Sequence, residues 1–225
     1  MKICIVTGGS GGHIFPAITY ADYVRDHTEH DVFFIGNDHK MESEIVPNAN
    51  YEFFSIHNQG LQGSKLDKIK ALFSQFSAIS QAKKHLKREK PDLVFSFGGY
   101  VSVPVGIAAK LLKIPVVLHE QNAFPGKANK LLAKWSKAIV TCYPEAFSNQ
   151  ENVHYLGNPR ASLLSEIIDS DSEYKRLELE TDKKTVLIVM GSQGSMAMNP
   201  KFEELIEEFD EDDYQLVLAC GPLHY

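Results

Sequence analysis

Residues 7–16 read TGGSGGHIFP, with four glycines flanking Ser10 and a histidine, His13, directly after them. Glycine lets backbone approach a ligand closely and reach positive φ. An imidazole titrates near neutrality, so at the rim of such a loop it can take up a proton. A helix N-terminus behind the loop offers free N–H groups and partial positive charge. Both suit a phosphate and favour a neutral ring. A histidine that only donates a bond to backbone is the equally open alternative. Two more turns share the pattern, Gly98-Gly99-Tyr100-Val101-Ser102 and Gly191-Ser192-Gln193-Gly194-Ser195. One such turn is as well explained by a tight strand-to-helix connection. Three, each after an apolar run, point to phosphate binding. The dinucleotide fingerprint G-x-G-x-x-G breaks at Ile14, and no Gly-Lys-Ser/Thr completes a Walker A loop. Hydride transfer and ATP hydrolysis therefore lose support.

These turns need elements to position them. Strands are expected at Lys2–Thr7, Asp31–Ile35, Glu52–Ile56, Leu93–Ser96, Val116–His119, Ala138–Thr141, Val153–Leu156, Thr185–Met190 and Gln215–Ala219. Helical patterns fill Phe15–Asp26, Met41–Val46, Lys65–Arg88, Val103–Leu112, Lys127–Lys134 and Asn199–Phe209, with Pro16 read as a proline in the first turn of its helix. LVFSF, VVLHE and TVLIVM are nearly continuous apolar or β-branched runs, as strands buried on both faces must be. The alternation predicts an α/β chain with a doubly wound parallel sheet, whose ligands bind beyond the carboxyl ends of the strands. A polar, charged composition shift near residues 160–184 marks a boundary close to Arg160. Residues 1–160 form one expected domain. Residues 161–225 form a linker and the start of a second α/β domain that looks truncated.

Composition narrows the class. The chain has 225 residues, 44% apolar and 23% charged, and a formal charge of −6, which argues against nucleic acid as a partner. Cys4, Cys142 and Cys220 lie far apart and form no C-x-x-C, as in a reducing compartment. MKICIVTGG is too short for a signal peptide and no stretch is long enough for a spanning helix, so a cytoplasmic protein is expected.

TGGSGGHIFPA, FGGYVS, VVLHEQNAFPGKANKLLA, GNP and GSQGS, in that order and spacing, resemble the MurG family of bacterial glycosyltransferases. The resemblance runs from Met1 to about Gly221. It implies a GT-B fold of two Rossmann-like domains, the N-terminal one holding a lipid-linked acceptor and the C-terminal one UDP-N-acetylglucosamine. N-acetylglucosamine would pass to the 4-hydroxyl of the muramyl sugar of undecaprenyl-pyrophosphoryl-MurNAc-pentapeptide (lipid I), with inversion, to give lipid II of peptidoglycan. By the same resemblance His13 is the candidate general base, with Glu120 as the other candidate. Ser10, Gly11 and Gly12 meet acceptor diphosphate or donor sugar, and Tyr100 and Ser102 form the second loop. Asn122 lies near the donor sugar, Ser192 and Gln193 against the nucleotide diphosphate, and Arg160 stands near the family's donor-phosphate arginine. Met190, Ser195 and Val103 depart from the family pattern, and the chain ends before the family's ribose-binding acid. A non-catalytic acceptor- and membrane-binding module that needs a partner for its donor domain is the alternative.

Two charged stretches complete the reading. Asp210-Glu211-Asp212-Asp213 contains a D-x-D but follows FEELIEEF, so it reads as a solvated acid cluster. No H-E-x-x-H occurs, and no metal or other cofactor is expected. Residues 65–90 carry eight Lys or Arg against two acids. Leu66, Ile69, Leu72, Phe73, Phe76 and Ile79 recur there at helical spacing. Such a helix either turns its apolar stripe to the core or lies on an anionic membrane. A lipid-linked acceptor favours the second, at the cytoplasmic face of the cell membrane.

Overall fold

The computed structural model describes residues 1–58, 65–165, 170–189, 199–209 and 212–219. Two compact units divide the chain, Met1–Ser165 and Glu166–Tyr225. The first contains β1 (Lys2–Val6), α1 (Gly11–His27), β2 (Asp31–Asn37), α2 (Glu42–Asn48), β3 (Phe53–Ile56), α3 (Lys65–Glu89) and β4 (Leu93–Ser96). It continues through α4 (Ser102–Leu111), β5 (Val116–Glu120), α5 (Lys127–Leu132), β6 (Ala138–Thr141) and β7 (Val153–Tyr155) to a 3₁₀ turn, Pro159–Ser165.

All seven strands are parallel, in the order β3-β2-β1-β4-β5-β6-β7. Side chains alternate across the pleat and feed two cores. On β1, Cys4 and Val6 join one cluster while Ile3 and Ile5 join the other; on β2, Phe33 and Ile35 oppose Phe34. Residues of α3, α4 and α5, among them Leu86, Val105 and Leu132, cover the first face. Residues of α1 and α2, among them Ile14, Ala17, Val24 and Val46, cover the second. Strand order reverses between β1 and β4, and a crevice opens at such a switch point. The first two glycine turns leave these two strands.

The structure moves one boundary that matters to the site. Helix α1 starts at Gly11 rather than Phe15, with Ser10 as an extended N-cap whose carbonyl accepts from the amides of His13 and Ile14. Gly11, Gly12 and His13 therefore lie in the first helical turn. Pro16 sits inside the helix and not in its first turn, and it has no N–H for the Gly12 carbonyl. Propensity opposed a helix start on two glycines. Burial of Gly11 and Ile14 against the sheet outweighs it.

Residues 161–165 belong to the first unit, since the 3₁₀ turn packs on α1. In the second unit, α6 (Ser170–Arg176) occupies part of the stretch read as linker. It is followed by β8 (Lys184–Val189), α7 (Asn199–Glu207) and β9 (Tyr214–Ala219). Strands β8 and β9 pair in parallel, in a β-α-β order. The GSQGS turn with Ser192 and Gln193, Met190 and Cys220 lie outside the described residues, as do residues 210–211 of the D-x-D.

Helix α3 presents two faces that can be told apart by mutation. Ala78, Ala82 and Leu86 are buried, whereas Phe76 is 66% exposed. Leu86→Ala should cost about 2–5 kcal/mol in urea unfolding, the range for a truncated buried leucine. Phe76→Ser should change stability by no more than about 0.5 kcal/mol, as for an exposed position.

Candidate active site

The turn after β1 is tied down by a residue the sequence reading passed over. Glu42, at the start of α2, is fully buried. One carboxylate oxygen accepts from the Gly9 amide at 3.1 Å; the other accepts from the Asn37 amide and side chain at 3.1 and 3.2 Å. A Cβ at Gly8 would run into this carboxylate, so glycine there is a packing requirement. Gly9 has φ +88°, which a side chain rarely adopts.

Opposite it, the turn after β4 passes so close that a Cβ on Gly99 would strike the Gly8 carbonyl. Gly98, at φ +104°, offers a bare Cα to His13, whose Cε1 and Nδ1 would lie 2.9 Å from any Cβ placed there. The two turns thus seat the imidazole between them. Tyr100 follows, half exposed, with its carbonyl accepting from Asn58 Nδ2 at 3.0 Å.

The third wall is the carboxyl end of β5. Glu120 is buried and accepts four N–H bonds, from the Asn122 amide, Asn122 Nδ2, the Gly126 amide and Asn129 Nδ2, all at 2.9–3.0 Å. A carboxylate offers about four lone-pair sites, and these four bonds hold residues 121–129 over the strand end.

His13, Tyr100, Glu120 and Asn122 line one cleft of about 190 Å³, with Lys127 and Asn129 on its wall. Ser10, Gly11 and Gly12 form the turn that carries His13 into it. Ser102 opens α4 and is buried there, accepting from Ser96 Oγ at 2.7 Å. Arg160 is not among the cleft residues; its guanidinium lies 5.1 Å from the Phe15 ring centroid. Beside the cleft runs an apolar groove of about 480 Å³, whose walls include Phe76, Ile79, Val103, Ile107 and Leu131 and which shares Tyr100 and Lys127 with the cleft.

Residues 3–141 match the sequence model of the glycosyltransferase family 28 N-terminal domain. The chain belongs to glycosyltransferase family 28. Within the family it is 39% identical to the UDP-N-acetylglucosamine–N-acetylmuramyl-(pentapeptide) pyrophosphoryl-undecaprenol N-acetylglucosamine transferase of Halalkalibacterium halodurans, over 100% of this chain and 63% of that protein. It is 40% identical to the transferase of the same name from Haemophilus influenzae, over 92% of this chain and 57% of that one. The chain therefore spans less than two thirds of these relatives' length. Acinetobacter baumannii MurG superposes with a TM-score of 0.71 at 28% identity, over 93% of this chain and 58% of that one. S. aureus MnaA, solved with UDP, shares the fold at a TM-score of 0.66 and 16% identity. The family 28 chain is thus an α/β protein of the GT-B type.

Under the cleft of this family 28 chain, His119 stacks on Phe97 with centroids 4.9 Å apart and shares a 3.2 Å hydrogen bond with the Gly157 carbonyl through Nε2. A carbonyl only accepts, so Nε2 carries the hydrogen. Burial holds the ring below the usual histidine range, hence neutral. Below about pH 6.5 the unfolded chain takes up a proton that the folded ring refuses, so stability falls as pH falls. His119→Gln should flatten the pH dependence of unfolding free energy between pH 7 and 5.5, by up to about 1.4 kcal/mol per pH unit. Urea titrations of both proteins at each pH measure it.

Proposed function

We propose that this chain is the acceptor-binding half of an inverting UDP-N-acetylglucosamine transferase of peptidoglycan synthesis. Its acceptor is the lipid-linked muramyl-pentapeptide named above, and it works at the cytoplasmic face of the membrane. The observation that carries the reading is the cleft at the sheet's switch point, with an imidazole at its rim and an apolar groove beside it. A sugar and diphosphate suit the polar cleft; a polyprenyl chain suits the groove. Lys127, at the wall common to both, supplies a cation where the diphosphate would lie. The names of the relatives support donor and acceptor alike.

In this mechanism the acceptor hydroxyl attacks C1 of the donor sugar from the face opposite the diphosphate. The C1–O bond to UDP breaks as the new C1–O bond forms, and configuration inverts. His13 takes the hydroxyl proton. UDP leaves with the bonding pair, and its charge falls to the donor domain, where Ser192 and Gln193 are proposed to meet it. Arg160 is proposed as a second donor contact.

Alanine at His13 should lower kcat about 10²–10⁴-fold in the full-length enzyme, the usual worth of a general base, with KM for UDP-N-acetylglucosamine within about threefold. Steady-state assays with a soluble lipid I analogue read both constants. Unchanged kcat would remove His13 from the role.

For the membrane we propose the exposed face of α3. No helix of the described residues is long and apolar enough to cross a bilayer. Phe76, Lys83 and Lys87 fall on one helical face at 3.6 residues per turn, and Phe76 and Lys87 are exposed. Arg88 is less free, since it pairs with Glu89 at 2.7 Å and lies 4.5 Å from the Phe54 ring centroid. Paired charge reversal at Lys83 and Lys87 should weaken co-sedimentation with phosphatidylglycerol vesicles at least about tenfold, given about 1 kcal/mol per basic residue. Binding to neutral vesicles should stay weak in both proteins. Indifference to anionic lipid would reject the surface.

A further inference from the structure

Gln121 is flanked by two residues with expected roles, Glu120 and Asn122, yet its own side chain makes the more consequential bonds. Its Nε2 donates to the Phe97 carbonyl at 2.9 Å. A backbone carbonyl only accepts, so the NH₂ end of the amide must face it. The Oε1 end then faces His13 Nδ1, at 3.2 Å. An amide oxygen also only accepts, so Nδ1 must carry a hydrogen. A neutral imidazole has one N–H, and the basic lone pair is therefore left on Nε2. Among the described residues nothing hydrogen-bonds that nitrogen.

We propose that Gln121 is the positioning residue of the site. It fixes His13 as the Nδ1–H tautomer and leaves Nε2 as the proton acceptor in the cleft. The orientation is set from three sides. Phe97, which follows β4, fixes the amide. The bare Cα of Gly98 holds the ring face. The carboxylate of Glu120 holds the loop on which Gln121 stands. A carboxamide also does what a carboxylate would not: it selects the tautomer without adding a negative charge that favours imidazolium. A base that must be unprotonated near neutral pH is better served by the neutral partner.

The inference rests on the reading of His13 as the base, but its structural half can be measured without turnover. Long-range ¹H–¹⁵N spectra of the histidine-labelled chain, with the His13 signal assigned from the His13→Ala spectrum, report the tautomer at alkaline pH. The wild type should show Nδ1–H. Gln121→Leu should move the ring toward the Nε2–H form that free imidazole side chains prefer. In the full-length enzyme that variant should lose about 10- to 100-fold in kcat with KM for the donor within about twofold, as for an effect confined to the chemical step. Gln121→Glu should keep the Nδ1–H tautomer, recover part of kcat and shift the acid limb of the kcat–pH profile upward. An Nε2–H tautomer in the wild type, or a tautomer unmoved by Gln121→Leu, overturns the proposal. Gln121-dependent tautomers with an active His13→Ala enzyme would sink the base assignment and leave the positioning intact. The reverse pattern would do the opposite.

Discussion

The buried carboxylate of Glu120 is the interaction on which the site depends. An ionised group out of water is costly unless its lone pairs are met. Here they are met by four N–H groups of the segment that follows β5. The bonds are local in sequence, but their effect is to draw Asn122, Gly126 and Asn129 onto the end of one strand. That placement brings Gln121 within reach of His13, a residue 108 positions earlier. Without the carboxylate the segment would have no reason to prefer this path over any other.

Glu42 does the corresponding work on the other side of the switch point. It gathers the end of β2 and the turn after β1 through its bonds to Asn37 and Gly9. Two carboxylates thus fasten two loops, and glycines fill the gap left for them. The close approach of Gly99 to Gly8 then fixes how far apart those loops can stand. Acids near a proposed sugar-transfer site invite an acid–base reading. Burial and the N–H bonds they accept, three to Glu42 and four to Glu120, also give these two a mechanical one.

The same sheet places the polar cleft and the apolar groove side by side, because α3, α4 and α5 cover one face while His13 enters from α1 on the other. Phe76 is left in the open where most large apolar residues of this unit are packed away. An exposed phenylalanine sharing a helical face with lysines is expensive as decoration and useful at a bilayer surface. Fold and proposed membrane contact are therefore set by one amphipathic helix with two working faces.

Much was legible in the chain itself. Leu93–Ser96 and Ala138–Thr141 are strands with the bounds their β-branched runs suggest, and the first two glycine turns follow strands as expected. Period and turn chemistry are local, so sequence alone pointed to the α/β class, the parallel sheet and His13 at a glycine turn, while Tyr100 and Asn122 came from the family resemblance; all three line the cleft. It did not place Glu42, and it did not show the four N–H groups that meet Glu120 or the burial of Ser102 at the start of α4. The start of α1 was hidden too, since two glycines carry no helical signal. Those outcomes turn on which groups meet across dozens of residues. How many donors reach a carboxylate, and what stands against a histidine's Nδ1, depend on groups far apart in the chain, so only the tertiary structure decided them.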